Sequence, residues 1–223
     1  MTGFFITATG TDIGKTFVTT SLLRYWRNQG LAAEGFKPLA SGLEPDNPAG
    51  SDPAEILAAL GQDVTPANLD RISPWRFRAP LAPNMAAALE GKAVDYAAII
   101  AACQQKLAEA PGPMLVEGVG GLMAPVDDDH TVLDWLTALD LPCVLVAGSY
   151  LGSISHTLTA LTVLKDRGRP VAALAVSETP GATVVLEAVE MAVKRHFPDL
   201  SVVNLPRADS RAGIATLAGL LLG

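Results

Sequence analysis

The stretch TGTDIGKTF at residues 9–17 places a lysine and a threonine directly after a glycine, where an apolar run gives way to a helical pattern. A phosphate-binding loop of the form G-x-x-x-x-G-K-[ST] needs glycine at position 9, where the chain has Thr9; its glycines are Gly10 and Gly14. The arrangement still suits a polyphosphate. Backbone N–H groups over Gly10, Thr11, Asp12, Ile13 and Gly14, with the start of the helix at Lys15, Thr16 and Phe17, attract phosphate oxygens. Lys15 can reach the terminal phosphates, and the Thr16 hydroxyl can bind Mg²⁺.

Phosphoryl transfer depends on positioning and charge neutralisation more than on an acid–base pair, so cations and oxygen ligands are the residues to look for. Lys37 ends the second expected strand directly before Pro38, an exit toward the ligand face, and Ser41 follows as a turn former. In SDPAE (residues 51–55), Asp52 reads as a helix N-cap with Pro53 at N1 and Glu55 at N3. One of its oxygens can cap while the other faces Mg²⁺, so both roles stay open. Glu117 closes the apolar run that starts at Met114, and a carboxylate there is costly unless it is paired or metal-bound. Leu151, Gly152 and Ser153 precede a helix whose first N–H groups can hold an anion, with Ser153 as a plain N-cap the alternative.

These residues need a frame. Apolar runs at residues 4–8, 114–117, 143–147, 171–176 and 202–205 are each followed by a helical pattern, at 15–28, 132–138, 153–165, 182–196 and 210–221. Unbroken apolar runs belong to strands buried on both faces, so the alternation predicts an α/β fold with a doubly wound, mostly parallel sheet, a three-layer sandwich like that of P-loop nucleotide hydrolases. Gly30, Gly112 and Gly168 read as helix stops, and Pro198 closes the helix ending at His196. Residues 41–95 are rich in Pro, Asn, Asp and Gly, with short helices expected at 53–60 and 85–90; an insertion of this kind shapes the ligand site. WRFR at residues 75–78 reads as a loop.

The length, 223 residues of which 49% are hydrophobic, suits one domain over residues 1–223. With 16 Lys plus Arg against 23 Asp plus Glu, the formal charge of −7 argues against nucleic-acid binding. No run of eighteen apolar residues points to a membrane, and the first residues carry neither the basic start nor the cleavage site of a secretory signal, so a cytoplasmic protein is expected. Cys103 and Cys143, in apolar surroundings, read as buried free thiols, and His130, His156 and His196 have no metal-ligand spacing.

The blocks TGTDIGKT, GFKPLASG (residues 35–42), VEGVGG (residues 116–121) and YLGSISH (residues 150–156), in this order, resemble the dethiobiotin synthetase family. The similarity spans nearly the whole chain and weakens after residue 177. It implies a homodimeric enzyme with its site at the subunit interface, using ATP, CO₂ and 7,8-diaminopelargonic acid with Mg²⁺. One amine captures CO₂ as a carbamate, the γ-phosphoryl group moves to a carbamate oxygen, and the second amine displaces phosphate to close a cyclic urea. It further implies that Lys15 and Lys37 steady the phosphates and carbamate, and that Thr16, Asp52 and Glu117 bind magnesium. Ser41 and Gly120 would lie by the substrate, Leu151, Gly152 and Ser153 of the opposing subunit would hold its carboxylate, and Gly118 would join Glu117 and Gly120 beside the nucleotide.

Two departures stand out. Where the family has a glycine followed by T-D-T, this chain has Ala8 and Gly10 in place of that glycine and aspartate; a methyl at Ala8 matters only if φ there must be positive. An adenine-reading Asn aligns with Ser177, which offers one rotatable hydroxyl, so other nucleoside triphosphates are expected to serve, with Pro206 and Arg207 placed by position near the base. Two rivals remain in view. A related amidoligase would need a glutaminase cysteine paired with a histidine, which is not evident. A ParA- or MinD-like regulatory ATPase would carry a lysine at the position of Gly10.

Overall fold

Runs too short for helices and too continuous for half-exposed strands must be covered on both sides, and the chain covers them with two helical layers. The computed structural model describes residues 2–44 and 47–223. In chain order the elements are β1 (Gly3–Ala8), α1 (Lys15–Asn28), β2 (Glu34–Phe36), β3 (Leu39–Ser41), α2 (Asp52–Ala59), α3 (Pro66–Ile72), β4 (Trp75–Phe77), α4 (Pro83–Leu89), α5 (Tyr96–Glu109), β5 (Met114–Glu117), α6 (Val132–Leu139), β6 (Cys143–Ala147), α7 (Ser153–Asp166), β7 (Val171–Ser177), α8 (Leu186–His196), β8 (Val202–Leu205) and α9 (Arg211–Leu222). A six-stranded sheet of order β2-β5-β1-β6-β7-β8 is parallel throughout.

Alternate residues of each strand feed opposite cores. Phe5, Val116 and Leu145 point to the layer of α5, α6, α7 and α8, where Trp135 meets Phe5 edge-on with ring centroids 5.3 Å apart. Phe4, Ile6 and Val144 point to α1, α2, α3 and α9, around the buried Trp26. The expected three-layer sandwich is thus what forms. Among the described residues, no helix is long and apolar enough to cross a membrane.

Three local expectations change. WRFR is not wholly a loop: Trp75–Phe77 forms β4, parallel to β3 in a separate two-stranded sheet, because Trp75 N–H donates to the Pro38 carbonyl at 2.9 Å across a long sequence gap. Helix α8 starts at Leu186 rather than at 182. Gly112 is not a helix stop either, since α5 ends at Glu109 with Ala110 as its C-cap and Gly112 keeps a φ outside the left-handed region. A Cβ on Gly112 would stand 2.5 Å from the Ala32 carbonyl oxygen, so the glycine permits two backbone segments to touch. Gly30 and Gly168, by contrast, take the positive φ of helix C-terminal caps.

This contact predicts that Gly112→Ala lowers the free energy of unfolding by about 1–3 kcal/mol, the range for overpacking. Gly219→Ala, on α9 with open space around it, is expected to raise it by about 0.5–1 kcal/mol from helix propensity. Urea unfolding of both variants checks the pair.

Candidate active site

In an open parallel sheet, ligands settle beyond the carboxyl ends of strands where the strand order turns back, and here that point is β1 with β5 beside it. Register decides what gathers there. Phe36 pairs with Val116, and Glu117 pairs with Ile6, so Lys37 and Glu117 leave adjacent strands at the same level, next to the loop that follows β1. Lys37 is 2% exposed and Glu117 is fully buried; Lys37 Nζ lies 2.8 Å from Glu117 Oε1 and donates to the Gly118 carbonyl at 3.0 Å. Asp52, from the first turn of α2, closes the cluster with its Oδ2 3.0 Å from Lys37 Nζ.

Asp52 is not the N-cap. Ser51 is, its hydroxyl accepting from Ala54 N–H, while Asp52 itself is the first residue of the helix. The capping role therefore belongs to Ser51, and the Asp52 carboxylate turns to Lys37. Burial pushes the Asp52 carboxyl up, but the Lys37 ammonium and the Thr16 hydroxyl outweigh it and hold it below the ordinary carboxylate range. Burial likewise pulls Lys37 down, yet Glu117 and Asp52 prevail and hold its ammonium above the usual lysine value.

The loop after β1 wraps the second lysine. Lys15 Nζ donates to the carbonyls of Gly10 at 3.1 Å and Gly120 at 2.6 Å, and burial, with Lys37 nearby, brings its ammonium down to about 8. Ala8 ends β1 with an ordinary negative φ, so its methyl crowds nothing; positive φ falls instead on Asp12, at 56°, and Gly14, at 107°. Aspartate tolerates that conformation better than most side chains. Gly10 itself is not left-handed, and a Cβ there would meet Ile13 Cγ1 at an ordinary 3.6 Å.

Three oxygen-bearing side chains meet a magnesium ion's needs. Thr16 Oγ1 donates to Glu117 Oε1 at 2.8 Å, Asp52 is beside it, and Glu117 Oε2 is buried with no hydrogen-bond partner. A hydroxyl, two carboxylates and an orphaned carboxylate oxygen fit a hard cation that takes its remaining ligands from phosphate and water. Among the described residues no group of three or more His, Cys, Asp or Glu is placed to hold a metal ion by itself.

The cleft over this cluster has a volume of about 840 Å³ and is lined by Thr11, Asp12, Gly14, Lys15, Thr16, Phe17, Lys37, Ser41, Asp52 and Gly120, each a candidate named from the sequence. Its far wall, from Pro80 to Pro83 with Leu43 and Val119, was not anticipated residue by residue, because apolar side chains carry no chemical signal. Gly118 makes room for the Phe5 ring, 3.0 Å from where a Cβ would be, and Gly121 packs its backbone on Gly10. Other site candidates lie elsewhere. Ser177 touches the P-loop from β7, its Oγ 2.8 Å from a Cβ position on Gly14, while Arg207 N–H, after Pro206, donates to Glu178 at 2.7 Å on the next strand end. Leu151, Gly152 and Ser153 do not line the cleft of their own chain; Leu151 is 85% exposed, Gly152 is the left-handed N-cap of α7, and Ser153 Oγ is buried without a partner.

Gly14→Ala combines a strained φ with a 2.8 Å clash and is expected to cost about 1–3 kcal/mol of stability, whereas Gly10→Ala stays within about 0.5 kcal/mol of wild type. Thermal unfolding of the ligand-free variants distinguishes the two.

A family model described as an AAA domain matches residues 2–210. The chain is 49% identical over 93% of its length to the ATP-dependent dethiobiotin synthetase BioD of Caulobacter vibrioides, covering 94% of that protein. It is 45% identical over 88% of its length to the protein of the same name from Acidiphilium cryptum, covering 89% of it. Among solved structures it matches a chain of the MinC:MinD cell division protein complex of Aquifex aeolicus with a TM-score of 0.59 at 13% identity, covering 100% of this chain and 96% of that one. Hydrogenase maturation factor HypB of Archaeoglobus fulgidus matches with a TM-score of 0.58 at 13% identity, over 99% and 90% of the two chains. At that identity the structural likenesses concern the fold alone.

Proposed function

We propose, from the premise that this chain belongs to the ATP-dependent dethiobiotin synthetase family, that its cleft carries out the ATP-dependent dethiobiotin synthesis for which those enzymes are named, by closing a cyclic urea. The observation that carries the reading is the buried Lys37–Glu117 pair, joined by the half-exposed Asp52 and by Thr16, beside the loop that holds Lys15. Diaminopelargonate, CO₂ and ATP are the substrates. One amine adds to CO₂ and loses a proton to give a carbamate; a carbamate oxygen takes the γ-phosphoryl group as ADP leaves. The second amine then attacks the activated carbon and expels phosphate, leaving the cyclic urea.

The chain's own groups serve that sequence by position and charge. Lys15 and Lys37 bring two ammonium groups to the phosphates and carbamate, where developing negative charge is stabilised in a site of low dielectric. Thr16, Asp52 and Glu117 are the proposed holders of Mg²⁺, which supplies charge neutralisation on the triphosphate when bound. The unpartnered Glu117 oxygen supports this assignment. Ser41, lining the cleft beside Lys37, is the proposed substrate-side hydroxyl. The loop from Gly10 to Phe17, with Gly118 and Gly120, is proposed to cradle the nucleotide, and Ser177, Pro206 and Arg207 to face its base.

The working unit is proposed to be a homodimer. Leu151 exposes its apolar side chain and Ser153 buries an unpartnered hydroxyl at the start of the 14-residue α7, away from the chain's own cleft. That is the pattern of a segment completing a neighbour's site, where the helix N–H groups would meet the substrate carboxylate.

Incubation with diaminopelargonate, bicarbonate, Mg²⁺ and ATP is expected to yield the cyclic urea, read by mass spectrometry. Lys15→Gln and Lys37→Gln should each reduce turnover by about 10²–10³-fold, the scale for losing one transition-state charge contact; unchanged turnover in both variants would sink the site assignment. With Ser177 at the base position, CTP and GTP are expected to replace ATP with modest loss. A preference for ATP above about a thousandfold, near 4 kcal/mol, would contradict that expectation.

A further inference from the structure

The oxygens proposed to receive a divalent cation already hold a monovalent one. The three N–H groups of the Lys37 ammonium have three acceptors: Glu117 Oε1 at 2.8 Å, Asp52 Oδ2 at 3.0 Å and the Gly118 carbonyl at 3.0 Å. Thr16 donates to the same Glu117 oxygen, so the lysine stands between the two carboxylates of the metal set with the hydroxyl alongside. Lys15 differs. Its partners are the carbonyls of Gly10 and Gly120, neutral groups that it can leave without uncovering a charge.

Lys37 cannot leave so freely. A buried carboxylate stripped of its cation is strongly disfavoured, so Glu117 needs a replacement before the ammonium withdraws. Nor can the ammonium stay where it is once a divalent ion binds the same oxygens, because like charges a few ångströms apart repel strongly away from water. Resting on the reading that Thr16, Asp52 and Glu117 receive Mg²⁺, we infer that Lys37 is a placeholder for the metal. It neutralises Glu117 and Asp52 in the ligand-free protein and is displaced from them when the ion binds, and that displacement turns its ammonium toward the phosphates. Metal loading and the positioning of Lys37 are then one event. The lysine is withheld from the phosphoryl site until the metal has arrived, and the buried Glu117 carboxylate is paired in both states.

The test uses Mn²⁺ alone as the probe, without nucleotide, and reads free Mn²⁺ by electron paramagnetic resonance. A site filled by its own lysine in more than about nine-tenths of molecules loses that factor in apparent affinity, so Lys37→Met is expected to bind Mn²⁺ at least about tenfold more tightly than wild type. Lys37→Arg, which keeps a cation in place, is expected to stay as weak as wild type. Unchanged or weaker Mn²⁺ binding by a folded Lys37→Met, with folding checked by circular dichroism, overturns the inference. Should that variant fail to fold, wild-type protein decides. The ¹⁵N-labelled Lys37 ammonium resonance is expected to shift when Mg²⁺ is added to the complex with a non-hydrolysable triphosphate analogue, and a resonance unmoved by Mg²⁺ overturns it. Glu117→Gln separates this failure from that of the underlying reading. If it weakens Mn²⁺ binding to the nucleotide-loaded protein while Lys37→Met shows no gain, the metal assignment stands and only the placeholder falls. If it leaves that binding intact, the metal assignment falls as well, and the inference with it.

Discussion

A lysine and a glutamate, both shut away from water, meet 2.8 Å apart where two parallel strands end, and the architecture of the cleft follows from keeping that pair satisfied. Neither charge would be tolerated alone in such a place. Lys37 needs β2 to deliver it, Glu117 needs β5, and the two strands must be neighbours in a register that puts both at one level. Asp52 adds a second carboxylate from α2, so that Lys15 and Lys37 face Asp52 and Glu117, two cations against two anions, before any ligand arrives.

Balanced charge explains how so polar a cluster lies between two apolar cores. The ionic groups gather at the carboxyl ends of the strands, while the buried strand interiors are apolar on either face except at Thr7. The carbonyl of Gly118 accepts from Lys37 and those of Gly10 and Gly120 accept from Lys15, which adds no further charge to the cluster. Glu117 Oε2 has no hydrogen-bond partner, and the proposed metal assignment rests on that oxygen.

The loop after β1 solves its geometry in an unusual place. Ala8 stands where related sequences are expected to have glycine, yet it serves as an ordinary strand residue, and the left-handed conformations are taken by Asp12 and Gly14. Gly10 owes its identity to no left-handed φ. What presses on it is Gly121, whose Cβ, if present, would be 3.1 Å from Gly10 Cα, so the VEGVGG block and the P-loop are shaped against each other. Glycines in these motifs thus answer to different demands: a φ at Gly14, a neighbouring ring at Gly118, a neighbouring backbone at Gly121.

Much of this was readable in the chain alone. The apolar runs dictated buried strands because alternation was absent from them, and GKT after such a run dictated an anion site because helix N–H groups and a lysine converge there. Lys37 and Glu117 were conspicuous as charges adjoining buried strands. Their mutual contact was not, since it depends on strand order and register, which arise from pairing between segments eighty residues apart. For the same reason β4 reads as a loop in the sequence, its partner strand being remote, and Gly112 as a helix stop, its actual neighbour being the backbone of Ala32. Asp52 turned on a single residue of helix phase: Ser51 takes the cap, which leaves the aspartate free for Lys37. Local chemistry chose the residues and the elements that carry them; only the packed sheet decided which of their charges would meet, because burial acts on the pair and not on either group alone.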